Sequence, residues 1–293
     1  MKQRVSFEVA GDRVLGDLYV PSGSGPHPTV VVAGPMTSVK EQVTGVYASA
    51  LAVRGIAALA IDHRHYGESG GAPRQYESWT HKVEDLRAAL AWLARRSGDV
   101  EVPLGLVGIC LGVGYAVVAS LDEPRVRSIG AVVGYYRDPV AMEAADPEGF
   151  RAKLDAGRRA RELYEATGEV VTIPAVGLEG DAAMTTPDTF DYYGTKRGAV
   201  PNYVNAFAVM SREPFLPFDV QAAAPRLRAP IAMIHSERAL SPAWARRFHD
   251  QVRTEKSLTW LASRGHTDFY DAPELVAQAT DRIAAHLRET MAS

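Results

Sequence analysis

The sequence predicts an α/β fold, a mostly parallel central sheet with helices on both faces. Short continuous apolar runs alternate along the chain with longer segments of helical periodicity, and that rhythm belongs to strands buried on both sides. Size agrees: 293 residues with 46% apolar content suffice for one large domain with a well-buried core and an insertion.

The elements follow in order. The N-terminal stretch MKQRVSFEVAGDRVLGDLYVP alternates apolar and polar positions about a Gly-Asp turn, a β-hairpin pattern. Thr29 to Ala33 is a continuous apolar run, Lys40 to Arg54 reads as a helix ended by Gly55, and Ile56 to Ile61 completes a β-α-β unit. Glu77 to Arg96 carries Val83, Leu86, Leu90 and Leu93 at helical spacing, and Leu104 to Val107 reads as a buried strand. Gly112 to Leu121 is a helix of small residues, and Ile129 to Val133 a strand. Later come the strand Ile231 to Ile234, the helix Pro242 to Val252, the strand Leu258 to Leu261 and a closing amphipathic helix, Leu275 to Leu287.

Between Asp138 and Leu227 the alternation stops, and roughly ninety residues separate two core strands, far more than a crossover helix needs. The expected organisation is a core of residues 1–138 and 228–293 with a cap, 139–227, inserted between the sixth and seventh strands. The cap contains a charged helical stretch (Pro147 to Ala166), an apolar run (Val170 to Val176) and a group of aromatics that includes Phe207 and Phe215. Those aromatics suit either a small core of the cap or the wall of an apolar pocket.

Composition excludes several function classes. A formal charge of −3, from 32 basic and 35 acidic residues without long blocks of one sign, does not describe a nucleic-acid-binding surface. The single cysteine forms no intramolecular disulfide and builds no thiolate-rich zinc site. No metal cluster or phosphate-cradling glycine loop is visible in the sequence, so no cofactor is expected. The apolar runs TVVVAG and GIAALAID are too short to cross a membrane. Without a signal peptide's apolar region, a cytoplasmic protein is expected.

The chemistry signal is Gly108-Ile109-Cys110-Leu111-Gly112, between the apolar strand LGLV and the small-residue helix VGYAVVAS. A lone cysteine usually fills a gap in a core. Here the flanking glycines, the strand before and the helix after describe a sharp turn that exposes a nucleophile. At the helix N-terminus Cys110 is expected to favour the thiolate, with the Leu111 N–H aimed at a developing oxyanion. The second oxyanion donor is expected from Ala33-Gly34-Pro35-Met36-Thr37-Ser38. Proline has no N–H, so Met36 is the choice and Thr37 the next.

His266, in Arg264-Gly265-His266-Thr267-Asp268, follows the last strand and hangs at the same sheet edge, where a general base belongs. The orienting acid has two possible sites. The loop after Ile231 to Ile234, His235-Ser236-Glu237-Arg238-Ala239-Leu240-Ser241-Pro242, offers Glu237, with Ala239 where an aspartate is expected. The end of the preceding strand, Tyr135-Tyr136-Arg137-Asp138-Pro139, offers Asp138. Asp138 is the assignment and Glu237 the alternative, although Asp-Pro is also a common turn.

The chain resembles the dienelactone-hydrolase-like branch of the α/β-hydrolases, and more narrowly the hydrolases grouped with fungal polyketide transferases. The motifs are GPMTSVKEQ, LAIDHRHYGESGGAPRQYE, GLVGICLGVGYA, SERALS and RGHTDFYD. The resemblance implies an α/β-hydrolase fold and supports Cys110, Asp138 and His266 together. The arrangement is also similar to that of the Dieckmann cyclases that release tetramate polyketides. The implied activity is covalent acyl transfer from a small-molecule ester or thioester. Water as acceptor makes a thioesterase, another nucleophile an acyltransferase, and an internal carbanion a cyclase. A silent, ligand-binding version of the fold is the reading of another class. The basic stretch with Arg151, Lys153, Arg158, Arg159 and Arg161 reads as a solvated face, with docking of an acyl carrier protein as the alternative.

Overall fold

A computed structural model describes residues 1–23, 26–96 and 102–292. The strands are β1 (Lys2–Val9), β2 (Asp12–Tyr19), β3 (Thr29–Ala33), β4 (Ala57–Ile61), β5 (Leu104–Ile109), β6 (Val126–Val132), β7 (Thr172–Ile173), β8 (Phe207–Ala208), β9 (Ile231–His235) and β10 (Lys256–Trp260). Eight of them form one sheet in the order β1-β2-β4-β3-β5-β6-β9-β10. β1 and β2 pair antiparallel, β2 pairs antiparallel with β4, and all other pairs in this sheet are parallel.

The helices are α1 (Val43–Val53), α2 (Trp79–Arg96), α3 (Gly112–Ser120), α4 (Pro139–Ala145), α5 (Pro147–Thr167), α6 (Pro187–Tyr193), α7 (Arg212–Phe215), α8 (Pro242–Gln251), α9 (Asp268–Asp271) and α10 (Pro273–Met291). α1 packs on α10 and α2 on α3, and helices of both pairs pack on the sheet. The central strands β3, β4, β5 and β9 are buried at every position, whereas the edge strand β10 is only partly so. Continuous apolar runs therefore mark the middle of the sheet.

α1 begins later than the periodicity predicts because Lys40 is held by the sheet. Its N–H donates to Asp62 Oδ1 at 2.8 Å and its buried ammonium lies 2.7 Å from Asp62 Oδ2. The insertion between β6 and β9 carries α4 to α7 and the two-stranded β7-β8 ladder. A minor cluster of Ala160, Ala208, Val209 and Met210 is its own. Its larger apolar side chains, among them Tyr192, Phe207, Phe215 and Phe218, join the main core. Phe218 stacks on Trp79 of α2 and Tyr115 of α3, with ring centroids 5.1 and 5.6 Å apart.

Parallel strands bring the ends of β3, β5, β6, β9 and β10 to one edge of the sheet. Among the described residues no helix is long and apolar enough to cross a membrane.

Candidate active site

Cys110 follows β5 directly and has φ 54°, a left-handed conformation strained for a residue with a side chain. The strain is held from both sides: the Cys110 N–H donates to the Val132 carbonyl at 3.0 Å, and the Cys110 carbonyl accepts from the Tyr135 N–H at 3.0 Å. The flanking glycines are steric requirements. A Cβ on Gly108 would stand 2.4 Å from Val113 Cα, and one on Gly112 only 2.1 Å from the Ala33 carbonyl oxygen. Strand and helix approach this closely only with glycine at both positions.

Burial pushes the Cys110 thiol up to about 11, with the charge of Asp188 adding to the effect and the nearby Tyr270 hydroxyl and Leu111 N–H opposing it. The expectation of a resting thiolate is corrected on this point: at the N-terminus of α3, desolvation outweighs the helix dipole. Met36 borders the same cavity, and its N–H makes no hydrogen bond among the described residues. The Thr37 N–H, by contrast, donates to the buried Glu77 carboxylate at 3.1 Å, which removes it as an oxyanion donor.

His266 is buried, with 1% of its surface exposed. Burial pushes it down to about 3, with His235 adding to the effect and Asp188 opposing it. Its Nδ1 accepts a long hydrogen bond, 3.3 Å, from the Leu240 N–H, while Nε2 is buried without a partner. With Nδ1 accepting, the proton of the neutral ring resides on Nε2. Tyr270 lies beside both expected reactive groups: it lines the cavity with Cys110, and its ring meets the His266 ring edge-on, with centroids 5.6 Å apart.

The structure does not bring Asp138 to His266, which corrects the assignment of the acid. Its Oδ1 accepts from the Ala141 N–H at 3.0 Å and caps α4, and its Oδ2 pairs with Arg247. The physical reason is the turn the chain makes after β6. Val133 has φ 40° and the Arg137 N–H donates to the Tyr135 carbonyl at 2.9 Å, so Tyr135 and Arg137 line the cavity while Tyr136 packs beside His235 and Phe248, and Asp138 turns to Arg247. Glu237 is exposed and pairs with Arg246, so it is not at the imidazole either.

The carboxylate that does reach the histidine loop comes from the insertion. Asp188, in the first turn of α6, accepts from the N–H groups of His266 (2.7 Å) and Thr267 (3.0 Å) and from the Thr267 hydroxyl (2.7 Å). Arg197 grips the same loop, donating to the Thr267 carbonyl at 2.8 Å and to both oxygens of Asp271. The sequence reading missed both residues, because nothing local to either one signals a partner some seventy residues away.

Cys110, Met36, Leu111 and Tyr270 open on a cavity of about 300 Å³ whose far wall is the insertion, including Met184, Thr186, Phe207 and Phe215. His266 lies behind Leu240 and Tyr270, outside the cavity lining. The group of acidic side chains close enough to hold a metal, Glu41, Asp62 and Glu68, surrounds the Lys40 ammonium, which occupies the place of a cation.

The profile described as Alpha/beta hydrolase family matches residues 29–279. A Pseudomonas aeruginosa protein, PA2218, is 30% identical over 95% of this chain and 78% of its own length. The crystal structure of PA2218 superposes with a TM-score of 0.84 over 99% of this chain and 94% of that one. The alpha/beta hydrolase GrgF from Penicillium sp. sh18 superposes with a TM-score of 0.85 at 21% identity, both chains being fully covered, a likeness of fold. Thiohydrolase aneE of Aspergillus aculeatus is 34% identical over 42% of this chain and 38% of its own.

Proposed function

Since the chain belongs to the alpha/beta hydrolase family, we propose that it is an acyl-transfer enzyme in which Cys110 forms a covalent acyl-enzyme from a small ester or thioester. The observation that carries this reading is the strained Cys110 on the wall of the cavity, at the N-terminus of α3 and with the Met36 N–H unengaged. The likeness to a thiohydrolase over part of the chain supports a thioester donor.

In the proposed reaction the Cys110 sulfur bonds to the acyl carbon, and the carbonyl oxygen takes its developing charge to the Leu111 and Met36 amides. The thiol proton passes to His266 Nε2 and from there to the leaving alkoxide or thiolate. Water then attacks the acyl carbon, returns a proton through His266 and releases the acid with Cys110 restored. For Nε2 to accept the proton, the ring proton must first sit on Nδ1, which requires the long Leu240 contact to open. Asp188 holds the loop through its backbone and so acts as a positioning residue. Residues 139–227 serve as the cap that selects the acyl group, and Phe207 and Phe215 on the cavity wall favour that over a separate cap core.

Intact-protein mass spectrometry with butyryl- and hexanoyl-N-acetylcysteamine tests the reading. The expected result is an acyl adduct that is lost in Cys110→Ala, forms far more slowly in His266→Ala and decays to free acid in the unaltered protein. A protein that binds these thioesters yet shows neither adduct nor turnover would be a ligand-binding member of the fold. Release of a dehydrated cyclic product from a β-ketoacyl thioester would identify a cyclase.

A further inference from the structure

The cavity beside Cys110 holds a cation without a counter-ion. Arg137 is 2% exposed and lines the cavity two residues after Tyr135, whose N–H bonds the Cys110 carbonyl. Its Nη2 donates to the Leu216 carbonyl at 2.9 Å, and its Nε meets no acceptor. The guanidinium lies over the Phe215 ring at 4.2 Å and near Tyr135 at 5.9 Å, and among the described residues it forms no ion pair. Burial draws its pKa below the ordinary arginine value, with Tyr135 and Tyr115 opposing and no carboxylate contributing.

The rest of the lining has the same sign. Two further cations border the cavity, Arg212, neutralised by Asp181, and Lys153, exposed at the rim, whereas among the described residues no Asp or Glu lines it. A buried, uncompensated guanidinium opposes folding, and an arginine is held in its charged form at neutral pH, so an anion that enters the cavity gains an interaction already desolvated on the protein side. The planar fork suits a carboxylate.

Resting on the acyl-transfer reading above, we infer that Arg137 is an anion anchor and that the preferred acyl group carries a carboxylate a few bonds from its reacting carbonyl. Proximity to Cys110 and the small cavity set that spacing, since the phosphates of a coenzyme or carrier arm lie many bonds from a thioester carbonyl.

The test compares glutaryl- and pentanoyl-N-acetylcysteamine, equal in length and different in charge, on the unaltered enzyme, Arg137→Met and Arg137→Lys. The unaltered enzyme is expected to favour the glutaryl ester in kcat/KM by about tenfold or more. Arg137→Met is expected to lose that preference while keeping pentanoyl turnover, with Arg137→Lys in between. Because Arg137 has no ion-pair partner, Arg137→Met should unfold at the same or a higher temperature. A preference for the neutral ester, or equal loss on both esters, overturns the proposal. Glutarate binding gives a readout independent of acyl transfer: glutarate should raise the unfolding temperature of the unaltered protein and Cys110→Ala but not of Arg137→Met. If that holds while no acyl-enzyme forms, the anchor stands and the acyl-transfer reading fails. If inorganic phosphate stabilises the protein through Arg137 and glutarate does not, the carboxylate assignment is wrong.

Discussion

The Cys110 turn and the His266 loop lie at one edge of the sheet, yet different parts of the chain hold them. Cys110 is fixed by core backbone: Val132 and Tyr135 bond it, and Gly108 and Gly112 let α3 approach β5 and β3. The backbone of His266 and Thr267 is instead tied to Asp188, and the loop is gripped by Arg197, both residues of the insertion. The difference teaches that the Cys110 turn is held by the core of the fold, whereas the His266 loop takes part of its support from the insertion. On the proposed function, changes at Asp188 or Arg197 would reach the reaction through the His266 loop while the backbone bonds that hold Cys110 stay in place.

The contrast can be broken by experiment, the largest effect being in the thiol. Burial holds Cys110 up to about 11 and His266 down to about 3, so at neutral pH both are neutral. Iodoacetamide alkylation of Cys110 should therefore rise about tenfold per pH unit from 7 toward 10. A plateau reached by pH 7 would instead reveal a preformed thiolate-imidazolium pair. Next, Asp188→Ala should reduce kcat by about 10²-fold through a displaced base. The alkylation rate of Cys110 should stay the same or rise, because the Asp188 charge adds to the upward push on the thiol, and a fall in parallel with kcat would show that the two supports are one. Smallest is the effect at Asp138. Its replacement by alanine should lower stability by about 1 kcal/mol through the lost cap of α4, read by urea unfolding. Turnover of Asp138→Ala should stay within about twofold, as should that of Glu237→Gln on the surface. Loss of turnover in either would restore that residue as the orienting acid.

What could be read from the sequence followed how local its causes are. β3 matches its expected range, Thr29 to Ala33, and α2, α3, α5 and α8 differ by two residues or fewer at either end, because apolar periodicity and caps decide them nearby. The Cys110 turn was legible for the same reason, since strand, glycines and helix are contiguous. Asp138 was misread because the identity of a side chain at a strand end does not say which way it points. The turn after β6 gives Tyr135 and Arg137 to the cavity and sends the buried Asp138 to Arg247. Arg137 stands in the same segment, and its place on the cavity follows from the turn between Tyr135 and Arg137, which no local pattern announces. Tyr270, four residues after His266, lies in α9 directly behind the His266 loop and stood in the same motif, RGHTDFYD. Asp188 and Arg197 were not, since only the folded insertion brings them to the loop.

Phe218 wedged between Trp79 and Tyr115 has a consequence for modular exchange. An insertion with a self-contained interior could be traded between relatives like a cassette. Here the graft junction runs through shared aromatic contacts, so a transplanted 139–227 segment would leave a hole or a clash over α2 and α3. Specificity in this scaffold is more readily redrawn one side chain at a time, at positions such as Phe207 and Met184 that face the cavity, than by swapping the whole segment.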